Sequence, residues 1–533
     1  MGLDIAVLNG WLVDGSGGPR HRADIGIKDD QIVEVGRVDA EAALVIDADG
    51  LIVAPGFVDP HSHTDWTLHA NRDAHSTIRQ GVTTEIVGNC GISNAPISDV
   101  SLRPATARLR AHGYEQPPEW RTFADYLADV EAGGVAQNLG FLVGHSTIRE
   151  AAGVANAEPS ERQLAVMRWL VSEAMEAGAL GLSSGLEYSH GAFAGSEELR
   201  QLAMVVGAYG GLYASHVRNR DARILESIEE FLSVVRAGNV AGQISHLNVR
   251  HDTNAPDGAW HRAVELISAE RAAGLDVQAD MTPFRHGLGA MTGLLPNWLL
   301  ADGYGAAAQR LADPVVRSRL RGDCDRYWRF VHKGQWHRVR LQTSPQFPEL
   351  NGLTFDEIAR QRRQDEWDCY FDILAAAGDD MDNLTLVGEL FTDEHLAEMM
   401  THPLFSLGVD SYTSVDHGPL SELTANPLPY SGHVHYLTHH VRENRTLPLE
   451  EAVRKMSAMP AARFGLAGRG MVRAGYHADL VVFDFDALTT RSTFADPAHY
   501  PDGIRAVIVN GALTVDGSHH TGTRAGRVLR RPI

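Results

Sequence analysis

The chain has 533 residues, 44% of them hydrophobic and 22% charged, a globular composition too long for a single core. A formal charge of −21 at pH 7 excludes a nucleic-acid surface, which needs clustered Lys and Arg, and points to a small-molecule substrate. No run is long and apolar enough for a membrane span or a secretory leader, and Cys90, Cys324 and Cys369 are too scattered for a disulfide framework. A cytoplasmic protein without membrane partners is expected, and a homo-oligomer is left open.

Residues 1–55 read as short strands separated by turns such as Asp14-Gly15-Ser16-Gly17, and residues 475–533 return to that texture with Ala478-Asp479-Leu480-Val481-Val482-Phe483. Asn9-Gly10-Trp11-Leu12-Val13-Asp14-Gly15 is echoed by Asn510-Gly511-Ala512-Leu513-Thr514-Val515-Asp516-Gly517, as if two similar hairpins join one sheet. The two ends together predict one small β-sandwich domain.

Residues 56–474 alternate apolar strand-like runs with helical stretches, the texture of parallel βα units. Eight runs stand out: Leu51–Asp59, Thr83–Gly88, Leu139–Gly144, Leu180–Ser184, Leu212–Ser215, Gln243–Ser245, Leu275–Ala279 and Phe405–Val409. Eight parallel strands predict an α/β fold, a distorted TIM (β/α)8 barrel. The gap between the seventh and eighth runs is too long for one helix and its loops. It predicts an insertion at about residues 287–400, with Trp298, Trp328, Trp336 and Trp367 in a core of its own.

Barrel active sites form where strands end, and five strand ends here carry metal-type side chains. They are His61 and His63, then Cys90, His216, His246 and Asp410. One histidine after a strand is usually structural, and a free cysteine is usually a small buried hydrophobe. Imidazole, thiolate and carboxylate at five strand ends together predict a metal centre of the zinc type.

The segment Ala54-Pro55-Gly56-Phe57-Val58-Asp59-Pro60-His61-Ser62-His63 resembles the opening metal motif of the amidohydrolase superfamily. Gly81-Val82-Thr83-Thr84-Glu85-Ile86-Val87-Gly88-Asn89-Cys90-Gly91, Gly181-Leu182-Ser183-Ser184-Gly185-Leu186-Glu187-Tyr188, Ser215-His216-Val217-Arg218-Asn219 and Ile244-Ser245-His246-Leu247 resemble its N-acyl-D-amino-acid deacylase (D-aminoacylase) branch. That resemblance implies a tight zinc on Cys90, His216 and His246, a weaker second position facing His61 and His63, and Asp410 as both metal neighbour and catalytic acid/base. Many binuclear relatives bridge their metals with a carboxylated lysine. The only lysines here, Lys28, Lys333 and Lys455, end no barrel strand, which favours Cys90 as the bridge.

The recognition residues depart from the family. Its lysine two positions after the sixth-strand histidine is Asn248 here, and its Tyr-Pro-Tyr after the seventh strand is replaced by Thr282-Pro283-Phe284. Arg250 and Arg285 stand nearby as replacement cations, with solvated loop arginines as the alternative. His145 and Tyr188 are further candidates for substrate contact. The function expected is metal-dependent hydrolysis of an amide C–N bond, with deacylation of an N-acyl amino acid or related N-acyl compound first. A cyclic-amide hydrolase of the hydantoinase or dihydroorotase kind is the alternative. A non-catalytic scaffold of the same fold is disfavoured by the six retained ligand-type residues.

Overall fold

The computed structural model describes residues 2–531 except 155, 188–189, 253–254 and 324–327. Its centre is a barrel of eight parallel strands, Phe57–Asp59, Val82–Val87, Asn138–Gly144, Gly181–Gly185, Leu212–His216, Ala241–Ile244, Val277–Met281 and Phe405–Leu407, paired in that order. Each falls within or overlaps one of the eight sequence runs. Val82–Val87 and Asn138–Gly144 are buried at every residue, as parallel strands covered on both faces must be.

The first and eighth strands share no full ladder. They meet only beyond their ends, where Asp410 N donates to His61 O at 3.0 Å and His63 N donates to Ser411 O at 2.7 Å. The distorted barrel therefore closes at its C-terminal rim, within the segments that carry the candidate ligands. At the opposite end Ala461, Phe464 and Leu466 pack against Val58, Ile86, Leu142, Leu180 and Leu212 and plug the floor. Two outer helices start on side-chain caps: Ser160 and Gln163 form a capping box for Glu161–Glu176, and Thr122 with Asp125 does the same for Phe123–Gly133.

A second sheet of nine strands draws on both ends of the chain. Ile52–Pro55 lies between Leu3–Leu12, parallel to it, and Leu480–Phe483, antiparallel to it. The run Leu51–Asp59 is thus divided, its first half in this sheet and its second half in the barrel. A core of Ile5, Val7, Ile25, Ile27, Val53, Leu480, Val482 and Ile508 fills the sheet's inner face.

The two echoing phrases do not form similar hairpins. Asn510-Gly511, both left-handed (φ 46° and 80°), turns Ile504–Val509 into Ala512–Asp516. Asn9-Gly10 instead lies inside Leu3–Leu12 as a bulge against His21–Lys28. At the C-terminus, Val528–Leu529 leaves the small sheet and pairs in parallel with Leu139 and Gly140 of the third barrel strand.

The segment between the seventh and eighth strands holds a three-stranded antiparallel sheet, with Thr385–Glu389 between His286–Ala290 and Val339–Thr343. Trp336, Trp367 and Tyr370 form its aromatic core, with Trp336 and Trp367 ring centres 4.9 Å apart. No helix among the described residues is long and apolar enough to cross a membrane.

Candidate metal centre

The second strand runs into a loop that is left-handed at Gly88 (φ 76°), Cys90 (φ 53°) and Gly91 (φ 78°). A Cβ on Gly88 would sit 2.1 Å from Leu142 O, so only glycine admits this approach to the third strand. The turn directs the Cys90 thiol to the barrel axis. Asp410 (φ 56°) and His246 (φ 31°) are also left-handed, a backbone cost that marks functional positions.

Cys90 Sγ lies 3.3 Å from His61 Nε2, 3.3 Å from His246 Nε2 and 3.9 Å from His216 Nδ1. Asp410 Oδ1 lies 3.3 Å from His63 Nε2 and 3.4 Å from His61 Nε2, and Oδ2 lies 3.9 Å from His246 Nε2. Donor atoms of His61, His63, Cys90 and Asp410 fall within 4.8 Å of one another, as do those of Cys90, His216 and His246. Cys90 is common to both groups. Donor separations of 3.3–3.9 Å suit one ion bound by imidazole and thiolate through bonds of about 2.0–2.3 Å. This His/Cys/Asp cluster is a group that could hold a metal ion.

Burial works against the Cys90 thiolate, yet the charges of His61 and His246 and contacts with His216 and His246 hold its pKa well below the usual thiol range. Burial likewise opposes ionised Asp410, but His246, His61 and His63 keep it well below the ordinary carboxylate value. His63 is raised to about 9, its burial outweighed by Asp410 and Cys90. A soft thiolate and a carboxylate ionised together among imidazoles is the donor set zinc takes.

Outer residues orient these groups. Glu187 faces His216 Nε2 at 2.7 Å, and Asp280 lies 3.1 Å from His61 Nδ1 while accepting from His246 N and Gln243 Nε2, each at 2.7 Å. Arg220 approaches His246 Nδ1 to 2.9 Å. Sequence reasoning assigns no role to any of the three. Asp280 follows directly on the seventh run and Glu187 stands three residues after the fourth, so the strand-end rule would have found both; Arg220, five residues past the fifth run, carries a weaker signal.

The cavity above the centre is lined by His63, His216, His246 and Asp410, by Trp66, Ile92, Arg108, His112 and Tyr412, and by Leu288, Thr343, Asp382 and Thr385 of the insertion. The expected substrate contacts are mostly elsewhere. Asn248 and Thr282 fasten two loops together, with Asn248 Nδ2 donating to Thr282 O at 3.2 Å and Thr282 N donating to Asn248 Oδ1 at 3.0 Å. Arg250 is buried and paired with Glu187 at 2.7 Å and Asp221 at 3.2 Å, so it is neither solvated nor aimed at a substrate. Arg285 is half-exposed on Glu389. His145 is buried on Glu198 at 2.7 Å. None of these lines the cavity, because each is held by a partner supplied by the fold. Tyr188 lies outside the described residues. Arg108 is the one lysine or arginine in the cavity wall among the described residues. It sits in helix Leu102–Ala111, away from every strand end, so no sequence rule points to it.

Comparison with known proteins agrees with this construction. Residues 44–262 and 372–515 match the Amidohydrolase family. The chain is 34% identical over 540 residues to D-aminoacylase of Alcaligenes xylosoxydans xylosoxydans, covering 99% of this chain and 98% of that one. The crystal structure of N-acyl-D-glutamate deacylase from Bordetella bronchiseptica, complexed with zinc and a phosphonate mimic of the tetrahedral intermediate, superposes with a TM-score of 0.81 at 29% identity and full coverage of both chains. A structure of D-aminoacylase concerned with its binuclear metal centre, with one-metal activation and second-metal attenuation, has a TM-score of 0.81 at 30% identity, covering 99% of this chain and all of that one. The chain belongs to the amidohydrolase family, in its D-aminoacylase branch.

Proposed function

We propose that the protein is a zinc-dependent deacylase of a linear N-acyl amino acid or related N-acyl compound. The observation that carries this reading is the position of Cys90 in both donor groups, with Asp410 at the cavity wall beside them. Cys90, His216 and His246 would hold the tighter zinc, and His61 and His63 would face the weaker position. A zinc held there would supply polarisation of the scissile carbonyl and a water that is nucleophilic at neutral pH.

Asp410 takes the proton of the attacking water and returns it to the nitrogen that leaves, since an amine departs poorly unprotonated. Its backbone is fixed through the hydrogen bond to His61 O, so the carboxylate stays at the barrel seam throughout. Trp66, Ile92, Leu288 and Tyr412 offer apolar walls that exclude water from the reacting carbonyl.

Arg108 supplies the positive charge for a substrate carboxylate, in place of the family's lysine. Its Nη2 is 3.5 Å from Glu150, while its Nε is buried without a hydrogen-bond partner. Asp382, also in the wall, accepts from the Thr292 hydroxyl at 3.0 Å. The cyclic-amide reading is not favoured, since three relatives 31–34% identical over 99% of the chain are D-aminoacylase, N-acyl-D-glutamate deacylase and N-acyl-D-aspartate deacylase. A turnover screen over N-acyl-D-amino acids, N-acyl-L-amino acids, simple amides and hydantoins, scored by released primary amine for the open-chain compounds and by loss of the ring for the hydantoins, tests the proposal. Hydrolysis confined to the cyclic compounds overturns it.

A further inference from the structure

A second group of metal-type side chains lies outside the cavity. His435, His439 and His440 place donor atoms within 4.8 Å of one another. Their rings form a compact triangle, with centroids 4.9 Å apart for His435 and His439, 5.3 Å for His435 and His440, and 4.7 Å for His439 and His440.

Backbone geometry explains the meeting. In an α-helix residues i and i+4 share a face, but i+5 turns away. Here helix Leu428–His435 continues into a π-helical turn, Tyr436–Glu443, whose i→i+5 bonding takes in one more residue per turn. Positions i+4 and i+5 then both return beneath position i. Such π turns are rare and recur at functional sites.

The surroundings leave these rings ready to bind. His440 Nε2 donates to Pro283 O at 2.7 Å, which fixes the tautomer that presents Nδ1 as a lone pair. Glu443 Oε2 lies 3.6 Å from His439 Nδ1, a nearby negative charge beyond hydrogen-bond distance. The other nitrogen of His439 meets only the amide of Asn444, at 3.2 Å, on the surface. Burial lowers His435 to about 3 and His440 to about 4, so both are neutral imidazoles near pH 7.

We propose that His435, His439 and His440 form a separate binding site for a borderline divalent transition ion, Zn2+ or Cu2+, with three imidazole ligands and an open position toward solvent. His435 stacks on Phe284 at 4.5 Å and His440 holds Pro283, so a bound ion would brace the loop that follows the seventh barrel strand.

The test uses the full chain, stripped with chelator, reloaded with excess Zn2+ and passed through a desalting column before metal analysis. His439→Gln, at a half-exposed position outside the cavity, should retain one equivalent less than the parent with unchanged turnover. Added Zn2+ should raise the melting temperature of the parent more than that of His439→Gln or His435→Gln. Bound Cu2+ should show nitrogen coupling in its electron paramagnetic resonance spectrum that His439→Gln weakens. Equal metal content in parent and variants, with equal melting shifts, overturns the proposal and leaves the three rings as a packing cluster.

Discussion

Glu187 holds His216 Nε2 at 2.7 Å and so leaves Nδ1 of the same ring facing Cys90 Sγ at 3.9 Å. The carboxylate is itself paired with Arg250, which also reaches Asp221, so a chain of buried charges ends at a candidate ligand. Burial opposes ionised Glu187, and the charges and hydrogen bonds of Arg250 and His216 together outweigh it and keep the carboxyl well below its ordinary range. Arg250→Met removes the guanidinium that Glu187 and Asp221 share, leaving Glu187 with Arg220 at 3.8 Å. A loss of about 3–5 kcal/mol in stability is expected, with weaker metal retention, read by denaturant unfolding and metal analysis. Unchanged values for both would remove Arg250 from the support of the centre.

Cys90→Ala deletes the donor common to both groups. Metal content and turnover should fall together, because losing Cys90 takes one donor from each of the two groups at once. Parent-like zinc content and rate would show that Cys90 is a packed hydrophobe.

Asp410→Asn keeps the shape but cannot accept a proton. Turnover should drop by roughly two to four orders of magnitude, the scale of a lost general acid/base, while tight zinc stays bound. Near-normal turnover would send the proton transfer to another group.

Arg108→Met tests the cation in the cavity wall. For a substrate with a carboxylate, KM should rise by roughly ten- to a hundred-fold, the equivalent of about 1.5–3 kcal/mol for a lost charge-assisted hydrogen bond, with kcat little changed. Neutral amide analogues should be unaffected. An equal loss on both would mean that Arg108 shapes the wall and does not read charge.

Glu85 makes a prediction about pH. Burial, aided by the charge of Asp59, raises its carboxyl from 4.5 to about 8, against hydrogen bonds from Ser62 and Thr64. Between those values the folded protein holds a proton that the unfolded chain has lost. Stability therefore declines as pH rises across that window, by about 1.4 kcal/mol per pH unit from this group. Glu85→Gln is neutral throughout and can still accept both hydroxyl bonds. Its melting temperature relative to the parent should rise steadily from pH 5 to pH 8, and a constant difference would contradict the buried neutral acid.

The eight barrel strands and the ligand-type residues at their ends were legible in the sequence for a local reason. A parallel strand buried on both faces is a short apolar run, and the barrel gathers the residues that follow such runs at one rim, so His61, His63, Cys90, His216, His246 and Asp410 could be read in order along the chain. What depended on partners distant in sequence was decided only by the tertiary structure. Arg250 reads as a free loop arginine until Glu187 and Asp221 are folded against it, and Asn248 reads as a failed substrate contact until Thr282 arrives as its partner. Arg108 enters the cavity because a helix from the second βα loop packs beside the insertion, and the three histidines meet because a helix widens by one residue per turn. A local pattern sets which side chain a strand end offers; which of them remain unpaired for chemistry depends on charges and hydrogen bonds that only the closed fold brings within reach.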